Sequence, residues 1–411
     1  MKLRAGTAEE AGMSPARVQH VKELARSWVE DGTHPALVVL VARRGTIVLH
    51  EAFGTLTSEP DSPPLPLDAI FPMYSSTKPV TAAAVMCLVE DGRVGLMRPV
   101  REYYPEIAAE GTEEVLIHHL LCHLSGWRNQ DVMTEIQRLL REEVDLPAPE
   151  PGQHPDIAAV SYLTRGVPLA CPPGEAMQYC NFNYELLADL VRRVGGTPIE
   201  RFAQKRIFEP LGMTDSSYVL PREHRERKVR RGEGMPGSDD LGPFSPGCDS
   251  ERWEGQPWGG NGVHSSARDI AVFAQMLMDG GTYDGRRVLS GASVQAMRRN
   301  QVPEGVPVRW ERLGPDGKLV MIDFMGGYGY GLFPFRHDVT PYMNGGLASP
   351  SSFGHLGFGG SYFWADPERD LVGVYLSVVR RNLEDVTTAD WPTADWRADI
   401  FVDAVTAAVE D

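Results

Sequence analysis

The sequence predicts an α+β fold: an antiparallel sheet built from both chain ends and flanked by helices, with a mostly helical region inserted between them. Three observations predict it. Residues 36–53 hold two β-branched runs, 37–42 and 46–53, around Arg43-Arg44-Gly45, which reads as strand, turn, strand. Residues 361–379 repeat the pattern around Asp366-Pro367-Glu368. Between these ends, the segments 79–91, 113–124, 183–195, 198–208 and 267–279 have helical spacing of apolar positions.

Each terminal element has its own justification. In 14–31 the apolar residues Val18, Val21, Leu24, Ala25 and Trp28 fall on one helical face, with Ser14 placed to cap and Pro15 in the first turn. Near 393–409 a last helix is expected to turn Trp396, Ile400, Val405 and Ala408 inward. Long Pro/Gly-rich connections lie at 144–157 and 232–261. This organisation predicts an α/β domain from residues 1–75 and 262–411, a helical domain from 76–261, and a site in the cleft between them.

Composition narrows the function classes. The chain has 411 residues, 42% hydrophobic and 23% charged, which is globular rather than disordered composition. Its 40 basic and 56 acidic residues leave a net charge of −16, which argues against nucleic acid and against an anionic membrane surface. No apolar run reaches the roughly 20 residues of a membrane span. No leader is visible at the N-terminus, and five cysteines without a CxxC pair fit a reducing compartment, so a cytoplasmic location is expected. The basic run 222–231 reads as a solvated loop.

Three motifs carry chemistry. The first is Tyr74-Ser75-Ser76-Thr77-Lys78, directly before the apolar stretch Val80 to Leu88. Residues three apart share a helix face, so the Lys78 amine can reach the Ser75 hydroxyl. A serine attacks only when a base takes its proton, and a lysine is that base only if burial or another cation lowers its pKa. An N-cap serine beside a solvated lysine gives the same letters. The second is Tyr179-Cys180-Asn181, ahead of a helix expected near Asn183. In extended or turn geometry both outer residues can face one cavity. Held beside lysines, Tyr179 can lose its proton near neutral pH and is a candidate general base, and Asn181 an amide that holds a substrate carbonyl or positions Lys78. The third is Gly354-His355-Leu356-Gly357-Phe358-Gly359-Gly360 before strand 361–366, where backbone N–H groups at a glycine-rich strand end can hold an oxyanion.

In this order the motifs Ser75–Lys78, Tyr179–Asn181 and His355–Gly357 resemble the active-site motifs of the serine β-lactamase-like superfamily. The likeness is to its class C-like branch, with family VIII carboxylesterases, D-alanyl-D-alanine peptidases, D-aminopeptidases and transesterases. Connecting segments are similar too: Leu120-Leu121-Cys122-His123-Leu124-Ser125-Gly126, Pro210-Leu211-Gly212-Met213, Gly259-Gly260-Asn261-Gly262 through Asp269, and Gly327-Tyr328-Gly329-Tyr330-Gly331, the last as a strand. The resemblance implies that Ser75 is acylated, that Lys78 and Tyr179 share proton transfer, and that Asn181 holds the substrate carbonyl. It implies an oxyanion hole from the N–H groups of Ser75 and Phe358. His355 stands where many penicillin-recognising relatives carry lysine, and neutral histidine attracts a substrate carboxylate less well.

The expected function is therefore a serine hydrolase that forms an acyl-enzyme on a small ester or amide, with no metal and no cofactor. An acyltransferase or transesterase, a D-amino-acid peptidase and a weak β-lactamase on the same site are alternatives. So is a catalytically silent binding protein of the same fold. His119 and His123 have a spacing that can bind metal, but no HExxH occurs. Trp127, Trp253 and Trp258 are candidates for the wall of a substrate cleft. No GxSxG elbow is present, which disfavours the α/β-hydrolase mechanism.

Overall fold

The computed structural model describes residues 1–232, 235, 238, 246–313, 319–324, 327–335, 345–379 and 396–411, with backbone only for 310–313 and 319–324. Among these, a seven-stranded sheet forms from both chain ends. Its strands are β1 (Arg4–Ala5), β2 (Ala36–Arg43), β3 (Thr46–Gly54), β4 (Phe333–Pro334), β5 (Phe353–Gly357), β6 (Ser361–Asp366) and β7 (Leu371–Ser377). They lie in the order β1-β3-β2-β7-β6-β5-β4. Only β1, beside β3, runs parallel to its neighbour. The two chain ends meet in the middle, where Leu37 pairs with Ser377 and Arg43 with Leu371.

Alternation along β2 explains the layers. Leu37, Val39 and Val41 join a core with Val21, Ala25 and Trp28 of α1 (Pro15–Glu30) and with Phe401, Val402 and Val405 of the last helix. Ala36, Val38, Leu40 and Ala42 face the other way, into a larger core shared with the interior helices. A strand buried on both faces needs an unbroken apolar run, which is what 36–42 supplies. The interior helices that position the site are α2 (Lys78–Glu90), α3 (Asn181–Gly195) and α4 (Ala267–Met278).

Several expectations are corrected. In the last helix, α5 (Ala398–Thr406), Ile400 is exposed at 45%, while Trp396, Val405 and Ala408 are buried. The expected start of that helix, 393–395, lies outside the described residues, as do parts of 232–261. The segment 113–124 is not one helix: a turn at Thr112–Glu114 precedes a short helix, Ile117–Leu121, which stops where His123 takes a left-handed φ of 59°. The segment 198–208 passes from α-helix, Ile199–Ala203, into a π turn, Gln204–Phe208. Residues 327–331 form an irregular approach to β4 rather than a strand. The basic run is not wholly solvated, because Lys228 and Arg231 are buried and Lys228 donates to Asp249 and Glu254 over 3.0 and 3.1 Å. No helix of the described residues is long and apolar enough to cross a membrane, and all five cysteines are free thiols.

Candidate active site

The nucleophile turn is held from three sides. Residues Tyr74–Thr77 form a single 3-10 turn that runs straight into α2. Tyr74 has a φ of 46°, a conformation a bulky residue keeps only where its surroundings enforce it. Its buried ring packs against Trp253 and Phe358, at centroid distances of 5.3 and 5.5 Å, with the Arg231 guanidinium 5.2 Å from the ring centre. On another side, the Met73 N–H donates to Val263 O over 2.8 Å. On the third, Ser361 Oγ donates to Met73 O over 2.8 Å and Ser76 Oγ to His355 O over 3.3 Å. Gly357 lets the sheet come this close to Met73, because a Cβ there would lie 2.2 Å from Met73 O.

Lys78 opens α2 with its side chain fully buried. Its Nζ lies 3.1 Å from Ser75 Oγ, 2.8 Å from Asn181 Oδ1 and 3.0 Å from Gly260 O. Those three partners match the three protons of an ammonium. A neutral amine can keep the two carbonyl acceptors and turn its lone pair toward the serine hydroxyl. Burial favours that neutral form and pushes the Lys78 pKa down to about 7, against the opposing pull of the Glu185 carboxylate. Ser75, Tyr179, Asn181 and Phe358 are each partly exposed, so the cluster opens to solvent on their side.

Asn181 is the first residue of α3, two positions earlier than the spacing predicted, with Cys180 as the flanking residue. Its amide oxygen turns to Lys78 and not to the open side. Tyr179 places the face of its ring beside the amine, with Nζ 4.7 Å from the ring centre. The His123 ring packs against Tyr179 at 4.3 Å, tilted by 34°, and its Nδ1 accepts the Cys180 N–H over 3.2 Å. That fixes His123 as the neutral Nε2–H tautomer, consistent with burial pushing its pKa well below the usual histidine range. His119 Nδ1 accepts a different backbone N–H, that of Leu116, over 3.2 Å.

His355 lies on β5 beneath the cluster rather than on its open side. It is buried, with Nε2 2.9 Å from the Tyr328 hydroxyl and Nδ1 2.6 Å from Leu356 O. Burial and the nearby Lys78 push its pKa down to about 3, so it carries no charge near neutrality. Gly357 ends β5 against Met73, and Phe358 follows beside Tyr74. Among the described residues no turn or loop hydrogen bond takes up the N–H of Ser75 or of Phe358. Of the three tryptophans, Trp253 reaches the site, whereas Trp127 and Trp258 are core. Trp127 packs on Phe182 at 5.4 Å and donates to Val167 O over 3.1 Å; Trp258 donates to Gln256 Oε1 over 2.6 Å.

The sequence reading missed three contributors. Glu185 is buried under the site and accepts the N–H groups of Gly259 and Gly260 over 2.8 and 3.0 Å. Gly260 supplies a carbonyl to Lys78, and Tyr328 a hydroxyl to His355. The available signal was one carboxylate inside the otherwise apolar run Tyr184-Glu185-Leu186-Leu187.

Comparison with known proteins identifies the family. The Beta-lactamase family model matches residues 21–395, nearly the whole chain. The chain belongs to the beta-lactamase family. It is 30% identical to protein Rv1367c of Mycobacterium tuberculosis over 341 residues, covering 76% of this chain and 78% of that protein. It is 28% identical to the esterase EstB of Burkholderia gladioli over 348 residues, covering 79% and 80% of the two chains. Among solved structures, a penicillin-binding protein homologue from Caulobacter crescentus superposes with a TM-score of 0.72 at 22% identity, covering 97% of this chain and 99% of that one. The solved structure shares the fold of this chain, and the Burkholderia gladioli relative is named as an esterase.

Proposed function

We propose that this family member is an esterase-type serine hydrolase acting on small, neutral acyl donors through an acyl-enzyme on Ser75. The observation that carries the reading is the 3.1 Å contact between Ser75 Oγ and a fully buried lysine amine whose pKa is pushed down to about 7. In this reading the Ser75 hydroxyl gives its proton to Lys78 as its oxygen attacks the ester carbonyl. The N–H groups of Ser75 and Phe358 stabilise the resulting oxyanion, the term that contributes most in acyl transfer. Tyr179, beside the amine, relays the proton to the leaving alcohol, and water repeats the sequence to free the acid. Asn181 holds Lys78 in place through its Oδ1, which leaves its amide N–H groups for the substrate carbonyl.

The preference for neutral donors rests on His355. Without a charge it offers no attraction to a donor's carboxylate, and its ring is already engaged by Tyr328 and Leu356. The similarity to an enzyme named as an esterase points the same way. Intact-protein mass spectrometry with p-nitrophenyl esters of graded chain length, a cephalosporin and a D-amino-acid amide tests the reading. The parent should acquire the acyl mass from the esters, and Ser75→Ala should lose adduct and turnover together. A Ser75→Ala variant that turns esters over like the parent sinks the proposal.

A further inference from the structure

We propose that Glu185 is a positioning residue for acyl transfer: a buried carboxylate that holds the Gly259-Gly260 turn against Lys78 and sets the charge the amine carries. The inference rests on the reading of Lys78 as the base for Ser75. It starts from packing. Glu185 lies on the first turns of α3, four residues after Asn181, so both face the same side of the helix. Its two oxygens each accept one backbone N–H, from Gly259 and Gly260. The same dipeptide turns its carbonyls the other way: Gly260 O accepts from Lys78 and Gly259 O from Thr81 Oγ1 over 2.5 Å. Lys78 is therefore braced from one helix by the Asn181 amide and, through a two-residue strut, by the Glu185 carboxylate. The space is filled, since a Cβ on Gly260 would lie 3.1 Å from Glu185 Oε1 and 3.3 Å from Lys78 Nζ.

The electrostatics run along the same line. The titratable groups facing Lys78 are Glu185, Cys180, Tyr179 and Tyr184 from α3 and its approach, the last held protonated by burial, His123 from the turn after Ile117–Leu121, and His355 from β5. Both histidines are held neutral by burial. Glu185 and Cys180 are the groups that raise the Lys78 pKa, with Glu185 the larger effect. On its far side Glu185 faces Tyr218, a phenol held protonated by burial. A hold on the turn alone would need only a neutral acceptor. A carboxylate adds a charge beside the amine, and burial pushes its own pKa up to about 7, the value to which Lys78 is pushed down, so the two groups titrate over one pH range.

The test is Glu185→Gln, with the pH dependence of Ser75 acylation by p-nitrophenyl acetate as readout. Removing the negative charge favours loss of the lysine proton, so the acid limb of the acylation rate should move to lower pH by about one unit. The plateau should also fall, since an amide cannot accept both N–H groups. A lowered plateau and melting temperature with the limb unmoved would mean a purely structural role and would overturn the proposal. A second measurement uses the unmutated protein labelled at lysine Cε and glutamate Cδ, so it survives a variant that does not fold. The Lys78 and Glu185 signals should titrate through a common midpoint, and a Lys78 titration without response at Glu185 overturns the proposal. Absence of any Ser75 adduct in the parent would instead refute the hydrolase reading, leaving the labelled titration to decide on Glu185.

Discussion

Replacing Gly357 by alanine probes how closely the sheet must approach the nucleophile. The added methyl would sit 2.2 Å from Met73 O and 2.2 Å from Ser361 Oγ. The serine could rotate, but only by giving up its 2.8 Å hydrogen bond to that same carbonyl. The carbonyl cannot swing away freely, because it also accepts the Ser76 N–H over 3.0 Å and leads into Tyr74 at its left-handed φ. The end of β5 must then retreat by about 1 Å, and Phe358 retreats with it. A misplacement of that size costs roughly 10²-fold in rate, the range also found on deleting one oxyanion donor. Overpacking adds about 1–3 kcal/mol of destabilisation. The assay is kcat on a p-nitrophenyl ester beside a thermal melt. Gly166→Ala serves as the control, since nothing lies within 4 Å of a Cβ there. A Gly357→Ala enzyme with the parent's kcat would refute the claim that β5 is packed to contact distance against the nucleophile turn.

Two further outcomes follow from buried histidines. His123→Leu removes the acceptor for the Cys180 N–H and the ring packed against Tyr179, so a stability loss of about 1–3 kcal/mol and a lower kcat are expected in melts and ester assays; a variant equal to the parent in both would contradict its place beside Tyr179. His264 is buried and its pKa is pushed down to about 3, below its unfolded value, so the unfolded chain binds the extra proton as pH falls from about 6.5. Stability is then full above that pH and declines below it, by up to about 1.4 kcal/mol per pH unit for this group. Buried Asp269, pushed up to about 7, has the opposite dependence, so the comparison must be with His264→Leu, whose urea-unfolding free energy should fall less steeply between pH 6.5 and 5.

What the sequence revealed of this fold is what local periodicity encodes. The hairpin at 36–54 and its counterpart at 361–377 are legible because each residue's alternation is set by its own strand. Ser75 and Lys78 are legible for the same reason: a separation of three fixes their proximity whatever surrounds them. The misreadings of burial involve partners distant in sequence. Lys228 looks like one more surface cation until Asp249 and Glu254 are brought to it, and Trp127 looks like a cleft wall until Phe182 and Val167 enclose it. Ile400 keeps helical spacing with Trp396, yet the sheet face is narrow enough that Phe401 and Val402 fill it.

The same distinction divides the site. The nucleophile and its base are a local pair, but what makes the lysine a base is not local. Its desolvation comes from α3, from the 259–260 turn and from the rings of Tyr179 and Tyr184, with Nζ 4.7 and 5.5 Å from their centres. A serine and lysine three apart on an exposed helix would have equal spacing and an amine charged at neutral pH. The motif thus states where a proton can move, and residues as distant along the chain as Gly260 decide at what pH it moves. That is why Glu185, which shares no motif with Ser75, belongs to the same chemical unit as the residues that do.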